Sequence, residues 1–250
     1  MTEWHEQDEF WEMAASSMFT GDSWQRAIDE LEALLEVVQI PDRCAVLDLC
    51  CGPGRFALEL SRRGFRVTGV DRTRAYLDAA RAGAEAESLE IEFVEEDMRV
   101  FERPGAFDLV INMLTSFGYF EDPAEDRAVL ANVHRSLKPG GVFVLDTMGK
   151  EVLARVFQAQ AWKEVGDELW LYERRIAPGW SWIDNRWIRI ADGARREFAI
   201  GHRLFSGGEL EALARDAGFA DTVTYGGFDG APYDAAAERL ILVARKAAAA

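Results

Sequence analysis

Histidine is scarce in this chain, cysteine is equally rare, and no stretch stays apolar long enough to lie across a membrane. Each shortage removes a class of function. Cys44, Cys50 and Cys51 crowd into one short stretch with no histidine beside them. An odd count so tightly spaced is neither a disulfide framework nor a zinc-ligand pattern, so the thiols are read as reduced packing residues and no metal site is expected. No run approaches the ~18 apolar residues of a membrane span. The opening MTEWHEQDEF is acidic and lacks the apolar heart of a signal peptide. The expected location is therefore the cytoplasm, without membrane contact. Positive charge is short as well: 28 Lys and Arg face 44 Asp and Glu, a net charge of −16. Such a field repels phosphate backbones at long range, and no Lys/Arg run offsets it, so nucleic acid is not an expected partner. Internal repeats and low-complexity linkers are also lacking.

What is present suffices for one large domain with an elaboration: 250 residues, 49% of them hydrophobic. Ile28, Leu31, Leu35 and Val38 fall at helical spacing over 23–39, and Pro41 ends that helix. CAVLDL (44–49) is a continuous apolar run, as in a strand covered on both faces. A helix from Arg55 to Arg63, closed by Gly64, then leads to a second strand, RVTGVD (66–71). A helix over 73–87, a strand at 91–97, a strand at 107–112 and a helix over 123–137 follow. LKPGG (137–141) reads as a turn before the fifth strand, 141–146. This alternation predicts βαβ crossovers and a doubly wound, mostly parallel sheet with helices on both faces.

The pattern changes after residue 150. ELWLYERRI, WSWIDNRWIRI and RREFAIGHRLF alternate apolar and polar side chains between Pro178-Gly179 and Asp192-Gly193 turns, which is the signature of an antiparallel meander. Ser206 and Glu209 then form an S-x-x-E capping box, opening a last helix over 206–219, and DTVTY and RLILVARK supply two final strands. The expected division is an N-terminal helical cap (1–40), an α/β core (41–150), an inserted β-meander (151–205), and the last helix and strand pair (206–250).

Four strand ends carry polar residues to one rim. Asp48-Leu-Cys50-Cys-Gly52-Pro-Gly54 sets an acid and two glycines where a parallel strand meets a helix N-terminus, the place where open α/β sheets bind ligands. Asp71 ends the second strand, where a carboxylate can accept from a ribose diol; Asp97 ends the third, and Asn112 the fourth. Gly52, Gly54 and Asp71 alone would equally suit a nicotinamide-dependent oxidoreductase.

Taken together, VLDLCCGPGRFALEL, VTGVD, FVEEDMR, FDLVINMLTSFGYF and LKPGGVFVLD resemble the successive motifs of the class I S-adenosylmethionine-dependent methyltransferases over residues 44 to 146. The resemblance implies a seven-stranded Rossmann-like sheet and S-adenosyl-L-methionine as cofactor, with S-adenosyl-L-homocysteine as product. It implies that Asp48 faces the cofactor's ammonium group, that Gly52 and Gly54 admit its methionine part, and that Arg55 pairs with its carboxylate or turns to solvent. Asp71, with Arg72 beside it, would hold the ribose; Asp97 and Met98 would read adenine; Asn112, Met113 and Phe117 would line the sulfonium. Cys50 replaces the first glycine of the family's usual D-x-G-x-G-x-G, and its Cβ predicts that this position avoids a left-handed backbone.

No residue declares itself a general base. His5 is expected in a mobile tail and His134 on the surface. Tyr119 and His202 are the candidates for catalysis, with Asp146 near the rim. The absence of a [DN]-P-P-[YF] sequence at Asn112-Met-Leu-Thr argues against base methylation. All eight tryptophans lie before residue 25 or after residue 161, in the cap and the insertion. Trp11, Phe19, Tyr119 and Trp170 are therefore the candidates for contact with a small-molecule methyl acceptor, while the remaining tryptophans build the insertion's own core or a homodimer interface. A non-catalytic S-adenosylmethionine-binding protein stays open as an alternative.

Overall fold

The computed structural model of the protein describes residues 3–249. After a 3₁₀ turn (Trp4–Glu6) come α1 (Asp8–Met18), α2 (Gly21–Val38), β1 (Ala45–Leu49), α3 (Arg55–Arg62), β2 (Arg66–Asp71), α4 (Arg74–Ala86) and β3 (Ile91–Glu95). Then follow β4 (Phe107–Asn112), α5 (Pro123–Ser136), β5 (Leu137–Thr147) and α6 (Lys150–Val156). A meander of β6 (Gln160–Val165), β7 (Glu168–Ile176), β8 (Trp182–Ala191) and β9 (Ala194–Arg203) precedes α7 (Gly207–Asp216), β10 (Asp221–Tyr225) and β11 (Leu240–Arg245).

The main sheet has the order β10-β11-β5-β4-β1-β2-β3. Its five core strands are parallel, while β11 runs antiparallel to both β5 and β10. The chain leaves β1 toward β2 and β3, then returns to β4 on the other side of β1. This reversal opens a crevice beyond the carboxyl ends of β1 and β4. Successive strand residues serve opposite layers. Leu47 and Leu49 pack with Val129 and Leu130 of α5 and Leu210 of α7; Val46 packs with Leu31 and Leu34 of α2 and Phe56 of α3. Burial on both faces explains why the strands read as unbroken apolar runs.

The meander forms a separate antiparallel sheet, β6-β7-β8-β9, one strand more than the sequence pattern suggested. The extra strand, QAWKEV, is short and mostly exposed, so its alternation is weak. Residues 137–141 also depart from expectation. They belong to β5 and absorb a register shift between the Phe107–Leu137 and Leu109–Val142 pairs, with Gly140 at φ +76°. The turn chemistry of LKPGG makes a bulge within one long strand.

A further helix, α1, precedes the first one expected. Its Phe10, Met13 and Ala14 are buried with Trp170 and Tyr172 of β7, and the Phe10 ring lies 5.7 Å from both Trp187 and Phe198. The second sheet is thus a platform that holds the N-terminal segment over the main sheet. Thr20 caps α2, accepting from the Ser23 amide and dividing the two helices.

Candidate functional site

A cavity lies in the crevice beyond β1 and β4, roofed by the N-terminal segment. Its floor is Asp48, Cys50, Cys51 and Gly52 from the end of β1; its sides are Asp71 and Arg72 after β2, Asp97 and Met98 after β3, and Met113 and Tyr119 after β4. Trp11 and Phe19 close it from above, and Arg55 reaches in from α3. Eleven of the residues singled out from sequence thus meet in one place.

The β1–α3 turn shows how local chemistry shapes the floor. Gly52 and Gly54 take φ of +55° and +89°, and a Cβ on Gly54 would come within 3.1 Å of the Ala80 methyl. Glycine is required at such a position by conformation and by space together. Cys50 corrects the expectation above: it adopts φ +64° despite its Cβ. The turn demands a left-handed residue as β1 ends, and burial of the thiol, 3.5 Å from Met98 Sδ, holds it there.

The carboxylates differ in state because their partners differ. Asp71 Oδ2 accepts from the Gly52 amide and Oδ1 from the Thr73 amide, each at 2.8 Å. These bonds tie β2 to the β1–α3 turn, although burial still raises the carboxyl's pKa. Asp97 is partly buried too, but Arg99 grips it at 2.8 Å and the balance falls below the ordinary value. Asp48 has no such cation in hydrogen-bond contact. It is 1% exposed, and its Oδ2 has no hydrogen-bond partner among the described residues. Burial, with Asp71 adding repulsion, raises its pKa to about 7.

Arg55 turns inward. Its guanidinium lies 4.9 Å from the centre of the Phe19 ring and donates to the Ser23 carbonyl, and burial lowers its pKa. Tyr119 faces Trp4 at 4.8 Å between ring centres and Trp11 at 6.0 Å, and burial pushes its hydroxyl well above the usual range.

Five candidates lie outside the cavity lining. Gly54 packs against Ala80 and Leu58 instead and serves as the N-cap of α3. Asn112 is 1% exposed and donates to the Leu49 carbonyl, bracing β4 against β1 beneath the floor. Phe117 turns into the core against Phe205, 5.5 Å away, while Ser116 beside it lines the cavity. Trp170 points from β7 into the contact with α1, fully buried, with its indole N–H on Glu168. His202, on β9 opposite Ile183, is desolvated with Nδ1 beside the Arg203 carbonyl. Asp146 is likewise structural: it pairs with Arg239 at 2.7 Å and accepts from the Leu114 amide. His134 is partly buried, edge-on to Phe219.

Sequence reasoning missed His5, Met18 and Tyr76 in the lining. His5 is 3% exposed, not part of a free tail. Arg72 donates to the His5 and Glu6 carbonyls, Arg99 to Glu6 Oε1, and the Tyr76 hydroxyl to the Trp11 carbonyl. The available signal was the aromatic spacing of Trp4, Phe10 and Trp11 near an acidic start, which marks a docked segment rather than a solvated one.

Comparison with known proteins agrees with this geometry. Residues 46–141 match the family model described as a methyltransferase domain. An uncharacterized methyltransferase of Synechocystis sp. is 31% identical over 180 residues, 72% of this chain and 78% of that one. A ubiquinone biosynthesis O-methyltransferase of Nitrosococcus oceani is 34% identical over 149 residues, 59% of this chain and 58% of its own. The chain spans about half the length of the first curated relatives it matches, 46% and 57%. A crystal structure of an S-adenosylmethionine-dependent methyltransferase from Clostridium acetobutylicum shares the fold with a TM-score of 0.78 at 17% identity, over 96% of this chain and 98% of that one. The order of the strands, the glycine turn after β1 and the relatives agree: the chain belongs to the class I S-adenosylmethionine-dependent methyltransferases.

Proposed function

We propose that the protein transfers the methyl group of S-adenosylmethionine to a nitrogen or oxygen atom of a small-molecule acceptor held beneath the N-terminal segment. One observation carries the binding half of this reading: Asp48, buried and with an oxygen lacking a partner among the described residues, faces the cavity at the end of β1. A carboxylate so placed is costly unless a cation completes it. The cofactor's ammonium group is such a cation.

The other roles follow by position. The backbone of Gly52 leaves room for the methionine part, and Arg55 can meet its carboxylate. Asp71 keeps lone pairs for ribose hydroxyls beyond those used by Gly52 and Thr73. Asp97 accepts from the adenine amino group while the Met98 amide donates to a ring nitrogen. Met113 borders the sulfonium, and Trp11, Phe19 and Tyr119 form an apolar wall for the acceptor. When bound, the cofactor supplies an electrophilic methyl carbon on a positively charged sulfur. The chain's task is alignment of nucleophile and methyl, and exclusion of water by the aromatic roof. The acceptor's atom is left as nitrogen or oxygen: the O-methyltransferase relative supports oxygen, and the acid-rich, aromatic lining suits an amine.

Isothermal titration of one sample with S-adenosylmethionine, S-adenosylhomocysteine and NADH tests the reading. Binding of the first two and not the third is expected. Binding of NADH alone would move the chain among dehydrogenases.

A further inference from the structure

Methyl transfer to a hydroxyl or to a protonated amine requires that the acceptor give up a proton, and the carboxylates at the strand ends are already held by other groups. Asp71 is engaged by two backbone amides, Asp97 by Arg99, and Glu96, also in the lining, accepts from the Asp97 amide. Asp48 is read here as the ammonium partner. Burial drives the Tyr119 hydroxyl upward, so it keeps its proton near neutrality and cannot take another group's, and His202 is not in the lining. Among the described residues that line the cavity, one imidazole is left: His5.

His5 is held firmly for a residue so near a chain end. Its Nε2 lies 2.6 Å from Glu3 Oε2. Its carbonyl accepts from Trp11 Nε1 at 2.9 Å and from Arg72 Nη1 at 2.8 Å. Its ring meets Phe120 edge-on at 5.1 Å and stacks on Tyr119 at 6.2 Å. A carboxylate against Nε2 keeps the proton there and leaves the lone pair on Nδ1, the arrangement by which an orienting acid prepares an imidazole base. The surrounding charges are Glu3, Glu6, Asp97, Arg72 and Arg99, with Asp8 paired to Arg72 and Glu125 to Arg99. Arg99 bonds Glu6 at 2.9 Å and Asp97 at 2.8 Å, and stands 3.7 Å from Glu3. Glu3, His5 and Glu6 also bring ligand atoms within 4.8 Å of one another, but the Arg99 guanidinium already occupies Glu6 Oε1 at 2.9 Å and stands 3.7 Å from Glu3, and a second cation there would meet its repulsion.

We propose that His5, oriented by Glu3, is the base that receives the acceptor's proton. This rests on the methyltransferase reading above. For a protonated amine, Nδ1 takes one N–H proton first. The freed nitrogen pair then forms the bond to the methyl carbon, while the carbon–sulfur bond breaks with its pair on sulfur. For a hydroxyl, the O–H proton passes to Nδ1 as the oxygen–carbon bond forms. In both cases the cationic charge of the sulfonium is lost, the imidazole becomes imidazolium, and the proton later leaves to solvent.

The decisive test needs no knowledge of the acceptor. S-adenosylmethionine carries a positive sulfur where S-adenosylhomocysteine carries a neutral one. If His5 faces the methyl group, its imidazole ¹⁵N signals, read at one pH in protein labelled at its three histidines, differ between the first complex and the second. His134 and His202 should not move. Identical His5 signals in two demonstrably formed complexes would overturn the proposal; failure of both ligands to bind would instead overturn the cofactor reading. Glu3→Gln should move the His5 Nε2 signal in the free protein, where that nitrogen meets Glu3 Oε2, and an unchanged spectrum would refute the dyad. His5→Gln, assayed with those members of an amine and phenol panel that the wild type methylates, should lose about 100-fold in turnover with cofactor affinity held within about twofold. Full turnover in that variant would also sink the proposal.

Discussion

The ionisation of Asp48 makes cofactor binding proton-linked in a calculable way. Its pKa stands at about 7 because the carboxyl is buried and Asp71 repels its charge. Near neutrality about half of the free molecules therefore hold Asp48 protonated, and pairing with an ammonium must expel that proton. If only the ionised form binds, affinity falls about twofold below its plateau at pH 7 and about tenfold at pH 6. The window closes from above as well, because the cofactor's own α-amino group loses its proton near ~7.7–8.0. Calorimetry in two buffers of different ionisation enthalpy should show about half a proton released at pH 7. Asp48→Asn should bind about 10- to 100-fold more weakly, from the ~1.5–3 kcal/mol of a charge-assisted bond, and should lack the acidic limb. The same shift acts on stability. A carboxyl whose pKa is raised from 3.8 to about 7 favours the folded state below 3.8, and that contribution is lost as pH rises through 7. The ionised side chain then costs the ligand-free fold up to about 4 kcal/mol. Asp48→Asn should accordingly be the more stable protein at pH 8, with the difference shrinking toward pH 4. A wild-type affinity that is flat from pH 6 to 7.5, or an acidic limb that survives in Asp48→Asn, would refute the assignment.

Asp71→Ala removes the proposed ribose contact along with the tie to Gly52 and Thr73; cofactor affinity should fall about 10- to 100-fold by calorimetry. Cys50→Gly relieves the left-handed backbone at φ +64° and should raise stability by up to about 1 kcal/mol in urea titration, leaving cofactor affinity intact. Trp170→Ala should cost about 3–5 kcal/mol through the void left beneath α1, with little loss of cofactor affinity in the protein that remains folded. Arg99→Ala unties Glu6 from Asp97, so residues 3–19 should become more open to limited proteolysis and the cofactor should dissociate faster.

The core of the fold was legible because buried parallel strands write themselves as apolar runs and their carboxyl ends as polar punctuation. Asp48, Asp71 and Asp97 could each be placed on one rim from strand ends alone. Asn112 and Phe117 show the limit of that logic. A strand end fixes the height of a residue but not its rotation, and one turn of the backbone sends Phe117 into the core while Met113 lines the cavity. Trp170 shows a second limit: alternation on β7 said which face it shared with Tyr172, but not that α1 would cover that face. Contacts between segments distant in sequence leave no local period to read.

The N-terminal segment combines these limits, and its attachment has a consequence for the site. Arg72 follows the carboxylate proposed for ribose, and Arg99 lies two residues beyond the one proposed for adenine. Both arginines reach upward to the 3₁₀ turn that carries His5. The groups that would sense the cofactor are therefore one or two residues from those that hold the roof in place. A cofactor that draws Asp97 away from Arg99 changes the grip on Glu6, and with it the position of Glu3 and His5. Engagement of the nucleoside and placement of the proposed proton acceptor would then be linked through these two guanidinium groups, so loosening Arg99 should affect cofactor release and turnover together.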